Sequence, residues 1–165
     1  MLDKLKKHLS QNFPFLENAK LLLATSGGID SMVMVYLLHE LNYSIALAHC
    51  NFQLRGLESF GDQNFVQEYA QLNEIPLFLT QFDTEAFAKD YKLSTQIAAR
   101  ELRYNWFYEL LETESYDYII TAHHADDVIE TFIINLSRGT GLDGLVGIPE
   151  QNDKIIRPLL PFSRE

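Results

Sequence analysis

Positive charge is scarce in this chain of 165 residues, where 13 lysines and arginines stand against 23 aspartates and glutamates, a formal net charge of −10 at pH 7. Affinity for a phosphate backbone comes mainly from lysine and arginine displacing counterions, so indiscriminate nucleic-acid binding is excluded. Any RNA partner must be gripped by a local patch or by another domain. Cysteine is scarcer still. Cys50 is alone, which rules out an internal disulfide and any CxxC metal or redox pair, and it reads as a buried strand residue. Long apolar runs are missing as well: the richest, Met32 to Leu38, gives way to His39 and Glu40 far short of the roughly 18 residues of a membrane span. The first residues, Met1-Leu2-Asp3-Lys4-Leu5-Lys6-Lys7, are basic without an apolar core behind them, so they read as a helix and not a secretory signal. A cytoplasmic protein with no membrane partner is the expectation. There is no internal repeat, low-complexity tract or long linker, and 47% hydrophobic residues suffice for one core, so one domain over residues 1–165 is expected.

Strand-length apolar runs alternate with helical patterns. Leu21-Leu22-Leu23-Ala24-Thr25 ends at two glycines, and Met32 to Leu41 then reads as a helix buried on most sides. Ser44 to Cys50 is apolar on both faces, as a parallel strand covered by helices on both sides must be. A polar loop over Asn51 to Glu58 leads to a helix carrying Phe60, Phe65, Val66, Tyr69, Ala70 and Leu72, and Pro76 opens a third strand at Leu77-Phe78-Leu79. A short helix over Thr84 to Tyr91 follows, then a long one capped by Ser94 and running through Glu112, then a fourth strand over Tyr118 to Ala122. The last helix, Ala125 to Ser137, stops at Gly139 and Gly141. This order predicts an α/β fold, a parallel sheet with helices on both faces, with ligands at the carboxyl ends of the strands. Ser163 reads as the cap of a further element, so a longer natural protein is expected.

Ser26-Gly27-Gly28-Ile29-Asp30-Ser31 falls at the turn from the first strand into its helix. Glycine permits backbone angles and close approaches that a Cβ resists, while the helix offers unpaired amides and the positive end of its dipole to an anion. Ser26 and Ser31 add hydroxyl donors, and Asp30 can position a magnesium ion bridging phosphate oxygens. Neither GxxxxGK[ST] nor GxGxxG is present. On these residues alone, a capped helix whose glycines serve only the turn remains the alternative.

Thr121-Ala122-His123-His124-Ala125-Asp126-Asp127-Val128-Ile129-Glu130-Thr131 gathers titratable groups at a strand end and in the next helical turns. Asp127 and Glu130 share a helix face, with Asp126 and Glu130 as the other pairing. Compensation of the helix dipole would account for the acids without any catalytic purpose, though not for the histidines. The spacing is not that of H-E-x-x-H zinc hydrolases, and no thiolates join it. Parallel-sheet geometry instead has His123 facing phosphates, with Asp127 and Glu130 receiving a cationic co-substrate. Arg100 and Arg103, three apart on a helix, either hold phosphate or pair with Glu101 and neighbouring acids.

The hexamer resembles the SGGxDS signature of the PP-loop ATP pyrophosphatases, which have a Rossmann-like adenine nucleotide alpha hydrolase fold and cleave ATP between the α and β phosphates. Together with HCNFQLRGLES at 49 to 59, AARELRY at 98 to 104, TAHHADDVIET at 121 to 131, LSRGTGLDGLVGI at 136 to 148 and RPLL at 157 to 160, it resembles the tRNA(Ile)-lysidine synthase family along nearly the whole chain. Phe52 stands where that family commonly has a second histidine. The resemblance implies ATP and Mg2+ bound through Ser26, Gly27, Gly28, Ile29, Asp30 and Ser31. It implies tRNA(Ile) with a CAU anticodon and L-lysine as partners, and it admits a homodimer. The wobble cytidine is adenylated at its C2 oxygen, and the lysine amine then displaces AMP. Catalytic roles are implied for Asp30, Arg100, His123, Asp127 and Glu130, and additional carboxyl-terminal domains for gripping tRNA. A 2-thiocytidine synthetase is the neighbouring alternative, but that family uses paired cysteines. A nucleotide-binding module inactive in isolation is the other.

Overall fold

A computed structural model describes residues 1–137 and 147–164. Helix α1 (Leu2–Asn12) and a 3₁₀ turn (Pro14–Asn18) precede β1 (Lys20–Ala24), followed by α2 (Ile29–Glu40), β2 (Ser44–Asn51), α3 (Leu57–Leu72), β3 (Leu77–Gln81) and α4 (Thr84–Tyr91). Then come α5 (Thr95–Thr113), β4 (Tyr118–Ile120), α6 (Ala125–Ser137), β5 (Gln151–Asn152) and β6 (Ile155–Ile156). The sheet order is β3-β2-β1-β4-β6-β5, parallel throughout except for β5 against β6.

Side-chain alternation along the strands divides the interior in two. Leu21 and Leu23 of β1 pack with Leu5, Leu9, Met34, Leu38 and Val66 from α1, α2 and α3. Leu22 of the same strand joins Ala46, Ala48 and Ile119 against Phe107, Leu110 and Leu111 of α5. Helices cover both faces, which is why β1 and β2 have no polar face to display.

From β1 the chain steps to β2 and β3 on one side, then returns to β4 on the other side of β1. The order therefore reverses between β1 and β4. In open α/β sheets, a crevice forms beyond the strand ends at such a reversal. The segments after β1 and after β4 are the two polar motifs singled out above.

Several expected boundaries move. Helix α2 begins at Ile29, and its Val33 and Tyr36 are exposed, so it is covered on one side and not on most. Its near-continuous apolar run hid the side left open. Helix α3 starts at Leu57, inside the expected loop, and β4 ends at Ile120, although the Thr121 amide still donates to Ile156 O. The hairpin of β5 and β6 has no counterpart in the sequence pattern, because two-residue strands carry no periodicity. Ser94 caps α5 as expected, accepting from the Ile97 amide at 3.3 Å. The glycines proposed to stop α6, and most of the 136 to 148 block, lie outside the described residues. Among the described residues no helix is long and apolar enough to cross a membrane.

Candidate active site

The loop after β1 is built by its own polar groups. The Ser31 hydroxyl donates to Gly28 O at 2.8 Å and accepts from the Ser26 amide at 3.2 Å, while Ser26 Oγ accepts from the Gly28 amide at 3.2 Å. Gly27 takes φ +88°, and a Cβ there would lie 3.0 Å from Asp62 Cβ. Gly28 precedes α2 without a side-chain cap, which leaves the helix's first-turn amides open to an anion. Such an arrangement suits phosphate.

Two cavities, each of about 230 Å³, meet at this loop. One runs beyond β2 and is walled by Thr25, Ser26, His49, Cys50, Asn51, Phe52, Asp62 and Phe107. The other joins Ser26, Gly28, Asp30 and Ser31 to Tyr104, Thr121, His123 and Asp127. Ala24, Ser26 and Arg103 line both.

Each sequence-predicted residue has a definite place. Ser26, Gly28, Asp30, Ser31, His123 and Asp127 come together around one cavity. Gly27 shapes the turn, and Ile29 points largely to solvent. Glu130 is exposed, one turn beyond Asp127, and does not line either cavity. Arg100 is not a lining residue; its guanidinium lies 5.0 Å from the Tyr104 ring centre. Arg103 lines both cavities, with its guanidinium 5.1 Å from the centre of the Phe52 ring, so Phe52 offers a cation a π face where an imidazole was expected. Phe52 in turn stacks on Phe82.

His123 shares a 2.9 Å hydrogen bond with Thr121 Oγ1. Burial, reinforced by the positive charge of Arg157, pushes its pKa down and holds it neutral at pH 7. A neutral ring can donate to a phosphate oxygen or accept from a hydroxyl. Asp127 Oδ2 accepts from the His124 amide at 2.8 Å, closing the start of α6 in the manner of a capping box, so this acid both caps the helix and faces the cavity. His124 itself is buried, with Asp30 at 3.6 Å, Asp127 at 3.5 Å and Asp126 at 3.4 Å from its ring nitrogens.

Asp30 is engaged as well. Arg164 donates through Nε to Oδ1 at 3.1 Å and through a terminal nitrogen to Oδ2 at 2.8 Å. Those bonds hold the carboxyl below its ordinary range, against partial burial that pushes it up. Asp30 thus accommodates a cation on the cavity wall, and its carboxylate is the kind of hard oxygen donor that a divalent ion takes.

His49, near the carboxyl end of β2, heads the HCNFQLRGLES block. Its Nδ1 lies 2.8 Å from Thr25 O, which can only accept, so Nδ1 carries the proton and Nε2 is a bare acceptor, buried without a hydrogen-bond partner among the described residues. Cys50 is half-buried in β2 and forms part of a cavity wall, where burial pushes its thiol up to about 12. Arg103 and Arg164 carry the weakest sequence signal of the residues at this site. Nothing local distinguishes Arg103 from Arg100, and Arg164 reaches Asp30 across 134 positions of sequence.

The loop, the strand reversal and the paired cavities define a nucleotide-binding α/β domain. Residues 1–165 match the PP-loop domain family, and the chain belongs to it. It is 45% identical over 159 residues to the tRNA(Ile)-lysidine synthase of Bacteroides thetaiotaomicron, spanning 96% of this chain and 37% of that protein. With the tRNA(Ile)-lysidine synthase of Bacillus subtilis the identity is 33%, over 99% of this chain and 36% of that protein. The chain therefore spans little more than a third of these relatives. Its fold resembles that of the U34-tRNA thiolase NcsA from Methanococcus maripaludis, with a TM-score of 0.73 at 20% identity over 99% of this chain and 60% of that one.

Proposed function

We propose that this chain is the adenylating part of an enzyme that ligates lysine to C2 of the wobble cytidine, position 34, of tRNA(Ile) with a CAU anticodon. The observation that carries this reading is the single cavity shared by the phosphate loop and Asp127, into which Arg103 also reaches. Anion-binding and ammonium-binding groups face one space, as a reaction between a nucleotide and an amine requires. The lysidine-forming names of the relatives supply the acceptor and the amine.

In the first step the C2 oxygen of cytidine attacks the α-phosphorus of ATP, and the bond to the bridging oxygen of pyrophosphate breaks. The open amides of α2 and the hydroxyls of Ser26 and Ser31 receive the β and γ phosphates, with Arg103 between the cavities taking charge on the α-phosphate. Asp30 would hold magnesium, which supplies charge neutralisation on the phosphates when bound. His123 lines the same cavity as the loop, where its neutral ring hydrogen bonds a phosphate oxygen.

In the second step the ε-amine of lysine attacks C2, the C2–O bond breaks and AMP departs. Lysine arrives as an ammonium ion. Asp127 binds it and takes one proton to free the nucleophile, and Glu130, exposed one turn further along α6, adds negative charge on the solvent side from which the ammonium arrives. The net charge of −10 leaves most of the grip on tRNA to the rest of a longer polypeptide.

The test is incubation of the full-length polypeptide that carries this chain with ATP, labelled lysine and tRNA(Ile) transcripts that differ only at position 34. Label on the cytidine transcript, with one pyrophosphate and one AMP released per lysine, is expected. Equal labelling of a uridine transcript, or pyrophosphate release without lysine transfer, would sink the assignment.

A further inference from the structure

The segment 157–164 folds back beside the phosphate loop. Leu159 and Leu160 are buried, the Phe162 carbonyl accepts from the Ala125 amide at 2.9 Å, and the Arg164 amide donates to Asp126 Oδ2 at 3.3 Å. These anchors deliver the Arg164 guanidinium to Asp30 as a two-bonded fork, the geometry in which an arginine and a carboxylate neutralise each other best. The neighbouring acids are otherwise engaged: Asp127 caps α6, and Asp126 accepts from the Arg164 backbone. Only Asp30 places a carboxylate in the first turn of α2, where phosphate would arrive.

That position poses an electrostatic problem. The amides and dipole at the start of α2 invite an anion, yet a bare Asp30 beside them repels one. A divalent cation solves this when present. We propose that Arg164 is the built-in counter-cation of the phosphate loop: it neutralises Asp30 so that a triphosphate can enter without its metal, and a divalent ion takes over that neutralisation when it arrives. Arg164 acts here through Asp30, as a positioning residue.

The inference rests on the loop being an ATP site, and the test separates the two. ATP binding is measured by equilibrium dialysis on the whole chain, in EDTA and again with excess Mg2+, for the unaltered protein, Arg164→Gln, Asp30→Asn and the double variant. In EDTA, Arg164→Gln should weaken ATP binding at least about tenfold, the scale set by one unit charge left beside the phosphates. Adding Mg2+ should reduce that deficit to less than about threefold, and Asp30→Asn in the Arg164→Gln background should restore metal-free binding to near the unaltered level. Arg164 is more than half exposed, so its replacement leaves the core untouched. An unchanged affinity in EDTA, an equal deficit with and without Mg2+, or no recovery in the double variant would overturn the proposal while leaving the ATP site standing. No ATP binding by the unaltered protein in either condition would overturn both.

Discussion

Gly27 lies so close to Asp62 that a Cβ on residue 27 would sit 3.0 Å from Asp62 Cβ and 3.2 Å from its carbonyl oxygen. The phosphate loop and α3 are fitted to each other at that point, and the φ of +88° at Gly27 completes the restriction. Gly27→Ala should therefore lower stability by about 1–3 kcal/mol, from the unfavourable φ and the displaced helix together. Because the displacement moves the loop, ATP affinity should fall more than the lost stability explains. Urea unfolding and ATP binding, measured on the same preparation, check this. A variant with ordinary affinity would mean that α3 does not fix the loop.

His49 and His123 both have pKa values pushed down by burial, so the unfolded chain binds protons that the folded chain refuses. Stability from these two groups is intact above the ordinary histidine value of about 6.5, and is lost progressively as pH falls from there through the depressed folded values. Each unit of separation removes about 1.4 kcal/mol at the low-pH limit. Thermal unfolding followed between pH 7.5 and 5.5 should show a falling midpoint, and His49→Gln, which cannot protonate, should flatten that slope. A slope unchanged in the variant would show that the folded chain protonates His49 as readily as the unfolded chain does.

The strands and the loop were legible in the sequence for a physical reason. Leu21 to Leu23 and Ile45 to His49 are buried at every position, so burial is written into each of them, and Gly27-Gly28 marks the turn that must follow the first run. The ring of groups around Asp30 was legible only in part. His123 and Asp127 are adjacent in sequence to the strand end that places them, whereas Arg164 reaches Asp30 only after β6 and the turn behind it have formed. The choice between Arg100 and Arg103 depended on which side of α5 faces the strand ends. Helix α5 packs Phe107 and Leu110 inward, but its own pattern of apolar residues is too even to reveal that side.

Cys50 gives a solution probe of the β2 cavity. Its thiol, pushed up to about 12 from an ordinary 9.0, forms roughly a thousandfold less thiolate at pH 8 than a free cysteine does. Reaction with an aromatic disulfide reagent should be slow in the folded protein and fast in urea. Saturating ATP should slow it further if the nucleoside occupies the cavity that Cys50 lines. Rapid modification of the folded protein would show that the cavity opens more widely than its lining implies.

Arg100 and Arg103 lie on one helix, three residues apart, and make opposite predictions. The Arg100 guanidinium rests on Tyr104 outside both cavities, an exposed contact worth about 0.5–1 kcal/mol. Arg103 reaches into the space where the two cavities meet, with Phe52 beneath its guanidinium, so its charge points at whatever joins their occupants. For a nucleotide lying across both cavities, that joining group is the α-phosphate. A hydrogen bond involving a charged group is worth about 1.5–3 kcal/mol, so Arg103→Ala should weaken ATP binding by about 10- to 150-fold. Arg100→Ala should stay within about threefold of the unaltered protein. Arg103→Lys separates charge from shape: a lysine keeps the cation but gives up the planar contact with Phe52, so it should recover only part of the loss. Titration of the three variants with ATP decides the matter. A larger loss for Arg100→Ala than for Arg103→Ala would mean that α5 turns its other face to the nucleotide, and the α-phosphate would then have to be sought on the Arg100 side.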